Sequence, residues 1–155
     1  MTREKRPPQP PELRRSFLSR LRGPRACGAA LGRRDLPSIG RHAERLVAAE
    51  LARRRMSVLQ TNFATRFGEI DVVARKGRTI VFVEVKARSS LDAVLPAEAV
   101  TPRKQKRIAR AAKAYLARHA IVDADVRFDV AEVIFAASGS SHEIRFIEDA
   151  FVPPA

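Results

Sequence analysis

The sequence has too little cysteine, histidine and large aromatic content for several common kinds of site. Its 155 residues include one Cys, three His, one Tyr and no Trp. One Cys cannot form a disulfide within the chain, so a cysteine-stapled secreted scaffold and a cysteine zinc site are both excluded. The three His form no metal-binding or nucleophile constellation, and the eight Phe fall mostly at core-like positions, so base stacking on an aromatic platform is not indicated. No apolar run approaches the roughly 18 residues of a membrane span, so integral membrane association is not expected.

Acidic residues are also scarce relative to basic ones. The chain has 30 Lys and Arg against 17 Asp and Glu, a net charge of +13. Such an excess favours a polyanionic partner, because clustered Lys and Arg gain free energy by releasing counterions from phosphates. We therefore expect a cytoplasmic, nucleic-acid-binding protein. An acidic membrane surface is the alternative partner.

The charge and the prolines are concentrated at the start of the chain. Residues 1–37 hold 10 Lys and Arg against 3 acids, together with six of the ten prolines. A stretch so rich in proline and so poor in large apolar residues cannot supply a packed core. We predict a basic, Pro/Arg-rich flexible arm over residues 1–37 and one folded domain over residues 38–155. The arm could grip phosphate, associate with a membrane surface, or be a solvated tail with no specific role.

Hydrophobic periodicity predicts seven elements in the order α-β-β-β-α-β-β, an α/β fold with helices packed against a sheet. Ser38, just after a proline, is the expected N-cap of the first helix, and Thr101, just before a proline, that of the second. The predicted elements are a helix from Ile39 to about Arg55, strands over Ser57–Ala64, Gly68–Arg75 and Arg78–Ala87, a helix opening at Thr101-Pro102, and strands over Val126–Phe135 and Glu143–Glu148.

The second and third strands carry acids at matching positions of a predicted hairpin. A two-residue turn at Lys76-Gly77 would place Asp71 opposite Phe82. The same register puts Glu69 opposite Glu84. Facing residues share one side of a sheet, so these acids would project together and Asp71 would lie diagonally from Glu84, roughly 7–8 Å away at the backbone.

Clustered carboxylates repel each other unless a cation or a proton holds them together. Oxygen ligands with open coordination positions suit Mg²⁺ or Mn²⁺ rather than zinc. Lys86 shares the face of Glu84 and could orient a water, and Glu44 lies at the edge of the apolar face of the first helix. The alternative is a solvated sheet face whose charges make only weak surface ion pairs.

The second helix is strongly basic. No acid occurs between Ala99 and Val122. Like charges repel within one helix, and a phosphate backbone would relieve that repulsion, although a solvated helix face is the plainer interpretation. The predicted phosphate contacts, which would position a duplex without reading its sequence, are Arg88, Arg103, Lys104, Lys106, Arg107 and Arg110.

Several ordered motifs resemble one known family. They are Gly40-x-x-x-Glu44, Asn62, Gly68-Glu69-Ile70-Asp71, Phe82-Val83-Glu84-Val85-Lys86-x-Arg88, Ala99-Val100-Thr101-Pro102-x-Lys104 and Arg127-Phe128-Asp129-Val130. This pattern, from about Pro37 to Phe151, resembles the YraN family of small bacterial proteins. That family is similar to the restriction-endonuclease-like, PD-(D/E)xK, nucleases, which include archaeal Holliday-junction resolvases. Ile70 stands where the nuclease motif prefers proline.

The resemblance implies a restriction-endonuclease-like core with a mixed central sheet, and it implies roles for five residues. Asp71 and Glu84 would be the metal-binding acids, with the Val85 carbonyl as a further ligand. Lys86 would activate water and Glu44 would complete the site. The expected activity is Mg²⁺- or Mn²⁺-dependent hydrolysis of phosphodiester bonds in DNA, including branched or damaged DNA, with a homodimer expected if both strands are cut. The alternative is a nuclease-fold module that binds nucleic acid, or a partner protein, without cutting.

Overall fold

The computed structural model describes residues 36–90, 100–139 and 141–153, which form two helices and a five-stranded sheet. The predicted arm lies outside the described residues except for its last two positions, as does the connection over residues 91–99. No helix in the described part of the chain is long and apolar enough to cross a membrane. The elements are α1 (Leu36–Arg53), β1 (Ser57–Thr65), β2 (Gly68–Lys76), β3 (Thr79–Ser89), α2 (Pro102–Arg118), β4 (Asp125–Phe135) and β5 (His142–Ile147).

This order confirms the predicted α-β-β-β-α-β-β arrangement, and the sheet is mixed. The strands lie side by side in chain order, β1-β2-β3-β4-β5. All neighbouring pairs are antiparallel except β3 and β4, which run parallel. Antiparallel neighbours need only short turns, whereas a parallel pair needs a crossover connection, and α2 lies in that crossover.

Each face of the sheet is covered by one helix, since the central strands are apolar on both sides. The α1 side is packed with Ala43, Val47 and Leu51 of the helix against Val72, Val81, Val83 and Val133 of the strands. The α2 side is packed with Ile108, Ala111, Ala112 and Tyr115 of the helix against Phe63, Val73, Phe82 and Phe128 of the strands. Two apolar layers therefore enclose the middle of the sheet, and polar side chains there need partners.

The sequence predicted the N-cap residue correctly for one of the two helices. The prediction for α2 is confirmed: Thr101 is its N-cap, and the backbone N–H of Lys104 donates to Thr101 Oγ1 at 3.4 Å. The N-cap prediction for α1 is wrong, because the helix begins at Leu36 and Ser38 lies inside it.

The predicted hairpin register is wrong by two residues. Lys76 is aligned with Thr79 and Val73 with Phe82, so the loop consists of Gly77 and Arg78. Gly77 has φ 61°, and a left-handed glycine at the first central position of a two-residue loop suits the twist of the flanking strands. Asp71 is therefore not opposite Phe82, and Glu69 is not opposite Glu84, since the pairing of β2 with β3 ends at Val72 and Val83.

One buried acid of β4 has a structural role. Asp129 is 1% exposed and accepts a hydrogen bond at 2.9 Å from the backbone N–H of Asp149. Its other carboxylate oxygen pairs with Arg127 at 2.8 Å, and Arg127 also pairs with Glu148. Asp129 thus ties the turn after β5 to the central sheet and is not available to the acids of β2 and β3.

Candidate functional site

The alternation of side chains along β2 breaks at Asp71. Residues two apart on a strand normally share a face, yet Ile70 packs in the α2-side core and Val72 in the α1-side core. Asn62 lies across on β1, between the pairs Thr61–Val72 and Phe63–Ile70, and has φ 53°. Asparagine tolerates this left-handed conformation better than most residues. Asp71 is thus half-buried at a local irregularity, between two residues that pack in different apolar layers.

The Asp71 side chain accepts a backbone hydrogen bond from β3 where the pairing of the two strands has ended. The pairing of β2 with β3 ends at Val72 and Val83. Beyond that point the backbone N–H of Val85 donates to Asp71 Oδ2 at 2.7 Å. The N–H and C=O of one strand residue point to the same side, so the Val85 carbonyl also faces the gap that opens between the two strands. Asp71 and Val85 therefore present oxygen atoms to one space.

The Asp71 carboxyl lies in an unfavourable place for a negative charge. Burial, followed by the negative charges of Glu84 and Glu44, raises its pKa from the usual 3.8 to about 7, against the opposing effects of the hydrogen bond from Val85 and the charge of Lys104. Burial penalises the ionised form, and two nearby carboxylates add repulsion. The structure thus brings together acids from α1, β2 and β3, as the sequence predicted, although by a different register.

Glu84 is the most buried acid of this group and has a cationic partner. Its side chain is 5% exposed and forms an ion pair with the ammonium of Lys104, whose side chain is 50% exposed. Lys104 was predicted to contact phosphate. It lies in the first turn of the helix, where its ammonium reaches Glu84 of the sheet. The sequence analysis missed this pairing, although the spacing of Lys104 to Ile108 places both on one helix face.

Lys86 and Arg88 follow Glu84 on the same face of β3. Lys86 is half-buried and aligned in the parallel register with Glu132 of β4. Arg88 Nε lies 3.4 Å from Glu132 Oε1, so this arginine, predicted to touch phosphate, has an acidic neighbour. Glu132 is 8% exposed and was also missed, although an acid between the apolar residues of a central strand is the signal that could have found it.

The other predicted phosphate contacts lie on the outer side of α2. Arg103, Lys106, Arg107 and Arg110 are all exposed, as is Lys113 one turn further along. Arg107 Nε donates to the carbonyl of Phe67 at 3.4 Å, which joins this helix to the β1–β2 turn. We call these five residues the basic face of α2. It is contiguous with the first helical turn that carries Lys104, and therefore with the acids.

The donor chemistry of the site suits a small hard cation. Asp71, Glu84 and the Val85 carbonyl offer only oxygen, and Mg²⁺ is typically held by one or two carboxylates while it retains several waters. Within the described ranges, no three His, Cys, Asp or Glu side chains are arranged to hold a metal by themselves. A cation here would therefore rest on two acids and a backbone carbonyl, and it would offset the repulsion at Asp71.

Comparison with known proteins places the chain in a family. The model of the Uncharacterised protein family UPF0102 matches residues 43–133. A "UPF0102 protein" of Alkaliphilus metalliredigens (strain QYMF) is 43% identical over 114 residues, which cover 74% of this chain and 97% of the relative. A "UPF0102 protein" of Geobacter metallireducens (strain ATCC 53774 / DSM 7210 / GS-15) is 46% identical over 114 residues, or 74% and 92% of the two chains. The matched segment includes Glu44, Asp71, Glu84 and Lys104. The chain belongs to the UPF0102 family, which confirms the predicted YraN membership.

Proposed function

We propose that this protein is a metal-dependent nuclease that hydrolyses phosphodiester bonds in DNA, on a restriction-endonuclease-like core. The observation that carries the proposal is the half-buried Asp71 beside the buried Glu84 at the point where β2 and β3 separate, with the pKa of Asp71 raised to about 7. A carboxyl with a strongly raised pKa beside a buried acid is typical of functional sites. The mixed sheet with one helix on each face supports the fold assignment.

Asp71, Glu84 and the Val85 carbonyl would hold Mg²⁺ or Mn²⁺ in this proposal. A bound cation would supply Lewis-acid chemistry and stabilise charge on the phosphate and the leaving oxygen. Lys86, on the same face as Glu84, would donate hydrogen bonds that orient the attacking water. Glu44, half-buried on α1, would contribute negative charge that strengthens cation binding at Asp71.

The basic face of α2 would hold the nucleic acid against the acids. Its five exposed cations lie on the helix whose first turn reaches Glu84. Contacts of this kind fix the register and orientation of a duplex but carry no sequence information. We therefore expect cleavage to depend on the structure of the substrate more than on its sequence, with branched DNA as the first candidate.

The test is cleavage of end-labelled duplex, single-stranded, flap and four-way-junction DNA, each with Mg²⁺, with Mn²⁺ and with EDTA. Asp71→Ala and Glu84→Ala should abolish cleavage while DNA affinity stays equal or rises, since a negative charge is removed. Glu143→Ala is the matched control, because Glu143 is an exposed acid of β5 paired only at the surface with Arg145. Normal cleavage by both site variants would refute the site assignment.

The second candidate is a nucleic-acid-binding module that does not cut. The observation in its favour is the Lys104 ammonium already paired with Glu84, which reduces the need for a cation at that carboxylate. Both candidates predict salt-dependent DNA binding through the basic face of α2, so affinity alone does not separate them. Binding without metal-dependent turnover across the whole substrate panel would favour the module.

A further inference from the structure

Lys104 occupies a position in α2 that an aliphatic residue would ordinarily take. It precedes Ile108 by four residues and Ala111 by seven, and both of those residues are buried against the sheet. Residues at this spacing form one stripe of a helix. The Lys104 stem therefore follows the inner stripe, while the charges of the basic face point outward.

The charge of Lys104 is also at the less favourable end of its helix. Thr101 is the N-cap, so Lys104 lies in the first turn, where the helix dipole disfavours cations. That turn contains no acid that could compensate. The partner that offsets this cost is Glu84 of β3, which reaches the ammonium from the neighbouring layer. A cation is thus held at Glu84 by the architecture of two separate elements.

We propose that Lys104 is the resident counter-ion of Glu84 and leaves this carboxylate when a divalent cation binds. This inference rests on the proposed function and deepens it. Both cations draw on the single negative charge of the Glu84 carboxylate, so binding of one weakens binding of the other by the same factor. The half-exposed Lys104 side chain can move toward solvent, on the side where the basic face of α2 would hold phosphate. The displaced ammonium then becomes available to the substrate.

The first test measures the Mn²⁺ dissociation constant of the full-length protein by calorimetry, with no nucleic acid present. Lys104→Gln should bind Mn²⁺ about tenfold more tightly than the native chain, a difference of about 1.4 kcal/mol. Lys104→Arg, which retains a cation for Glu84, should stay near the native value. Lys113→Gln is the matched control, since it removes the same charge from an exposed position of the same helix. Its Mn²⁺ affinity should not change beyond about twofold.

The outcomes separate the inference from the function on which it rests. Tighter binding in Lys104→Gln, with native-like binding in Lys104→Arg and in Lys113→Gln, supports competition between Lys104 and Mn²⁺ for Glu84. If Lys104→Gln binds Mn²⁺ as the native chain does or more weakly, and the native chain binds Mn²⁺ but Asp71→Asn does not, then Lys104 does not compete with the metal. The metal site itself is then still supported. Absence of Mn²⁺ binding in both the native chain and Lys104→Gln overturns the metal site and the competition together.

A second measurement needs no variant. The native protein is trace-labelled with an amine acetylating reagent, with and without saturating Mn²⁺, and the modified lysines are quantified by mass spectrometry. Release from Glu84 should raise the labelling of Lys104 severalfold on Mn²⁺ addition, while labelling of the exposed Lys113 stays constant. Equal labelling of Lys104 in the two states would overturn the displacement even if Lys104→Gln binds Mn²⁺ more tightly through its altered charge alone.

Discussion

Replacing Asp71 with Asn should stabilise the metal-free protein, and the gain should grow with pH. The pKa of Asp71 in the folded protein is about 7 against an ordinary value of 3.8, mainly because of burial and of repulsion from Glu84. Because the pKa of Asp71 is higher in the folded protein than in the unfolded chain, protonated Asp71 contributes to the free energy of unfolding. That contribution is fully present below about pH 4 and is lost as the pH rises through about 7. Asn is neutral at every pH, and its side-chain oxygen can still accept the hydrogen bond from Val85.

The magnitude follows from the shift. A difference of about three pKa units corresponds to about 4 kcal/mol between the two protonation states, which is the full effect above pH 7. At pH 5 the native chain should have lost only about 1.5 kcal/mol of this contribution to its free energy of unfolding. The difference in free energy of unfolding between Asp71→Asn and the native chain should therefore be about 2 to 3 kcal/mol larger at pH 8 than at pH 5, in favour of the variant.

Urea unfolding in EDTA at pH 5, 6, 7 and 8 measures this difference directly. Glu50→Gln is a control of opposite sign, because hydrogen bonds from Arg53 and Arg54 lower the pKa of Glu50 to about 2. The stability from that pair is present above about pH 4.5, so Glu50→Gln should cost about 0.5 kcal/mol, as expected for a solvent-screened pair, equally at all four pH values. Parallel pH profiles for Asp71→Asn and the native chain would falsify the electrostatic description of the site.

Three further predictions concern the core, the buried ion pair and the basic face of α2. Leu51→Ala, at a 1% exposed position, should lower the free energy of unfolding in urea by about 2–5 kcal/mol, and a loss under 1 kcal/mol would contradict the packing of α1. Asp129→Ala should lower it by about 1–3 kcal/mol, because the Asp149 N–H loses its acceptor and Arg127 loses one of its two carboxylate partners; an unchanged denaturation midpoint would exclude that role. Arg107→Ala with Arg110→Ala should reduce the salt slope of DNA binding by about 2, and an unchanged slope would place the phosphates elsewhere.

Much of the fold was predictable because it depends on local patterns. Apolar periodicity identified every described helix and strand to within a few residues, and the Thr101-Pro102 pair located the start of α2. The hairpin register was not predictable in the same way. Gly77 can occupy either central position of a two-residue loop, and moving it from the second to the first shifts the register by two while each side chain keeps its face.

The candidate site was predictable in composition and not in geometry. Strand alternation predicted that Asp71 and Glu84 lie close together, but it did not predict the break in alternation at Asp71, which lies beside the left-handed Asn62 of another strand. The two missed partners, Lys104 and Glu132, reach β3 through the α2 crossover and the parallel pairing with β4. Such contacts join segments far apart in the chain, so no local sequence pattern encodes them.

The parallel pairing of β3 with β4 has a consequence for the order of folding. Asp71 and Glu84 come from one hairpin, which can form within about 1–10 μs, whereas Lys104 and β4 arrive only after a long loop has closed. The early hairpin thus brings two negative charges together before the ammonium that offsets them is in place. Asp71 is not yet buried at that stage, so acid near its ordinary pKa of 3.8 should relieve this repulsion and accelerate the step at which the hairpin closes.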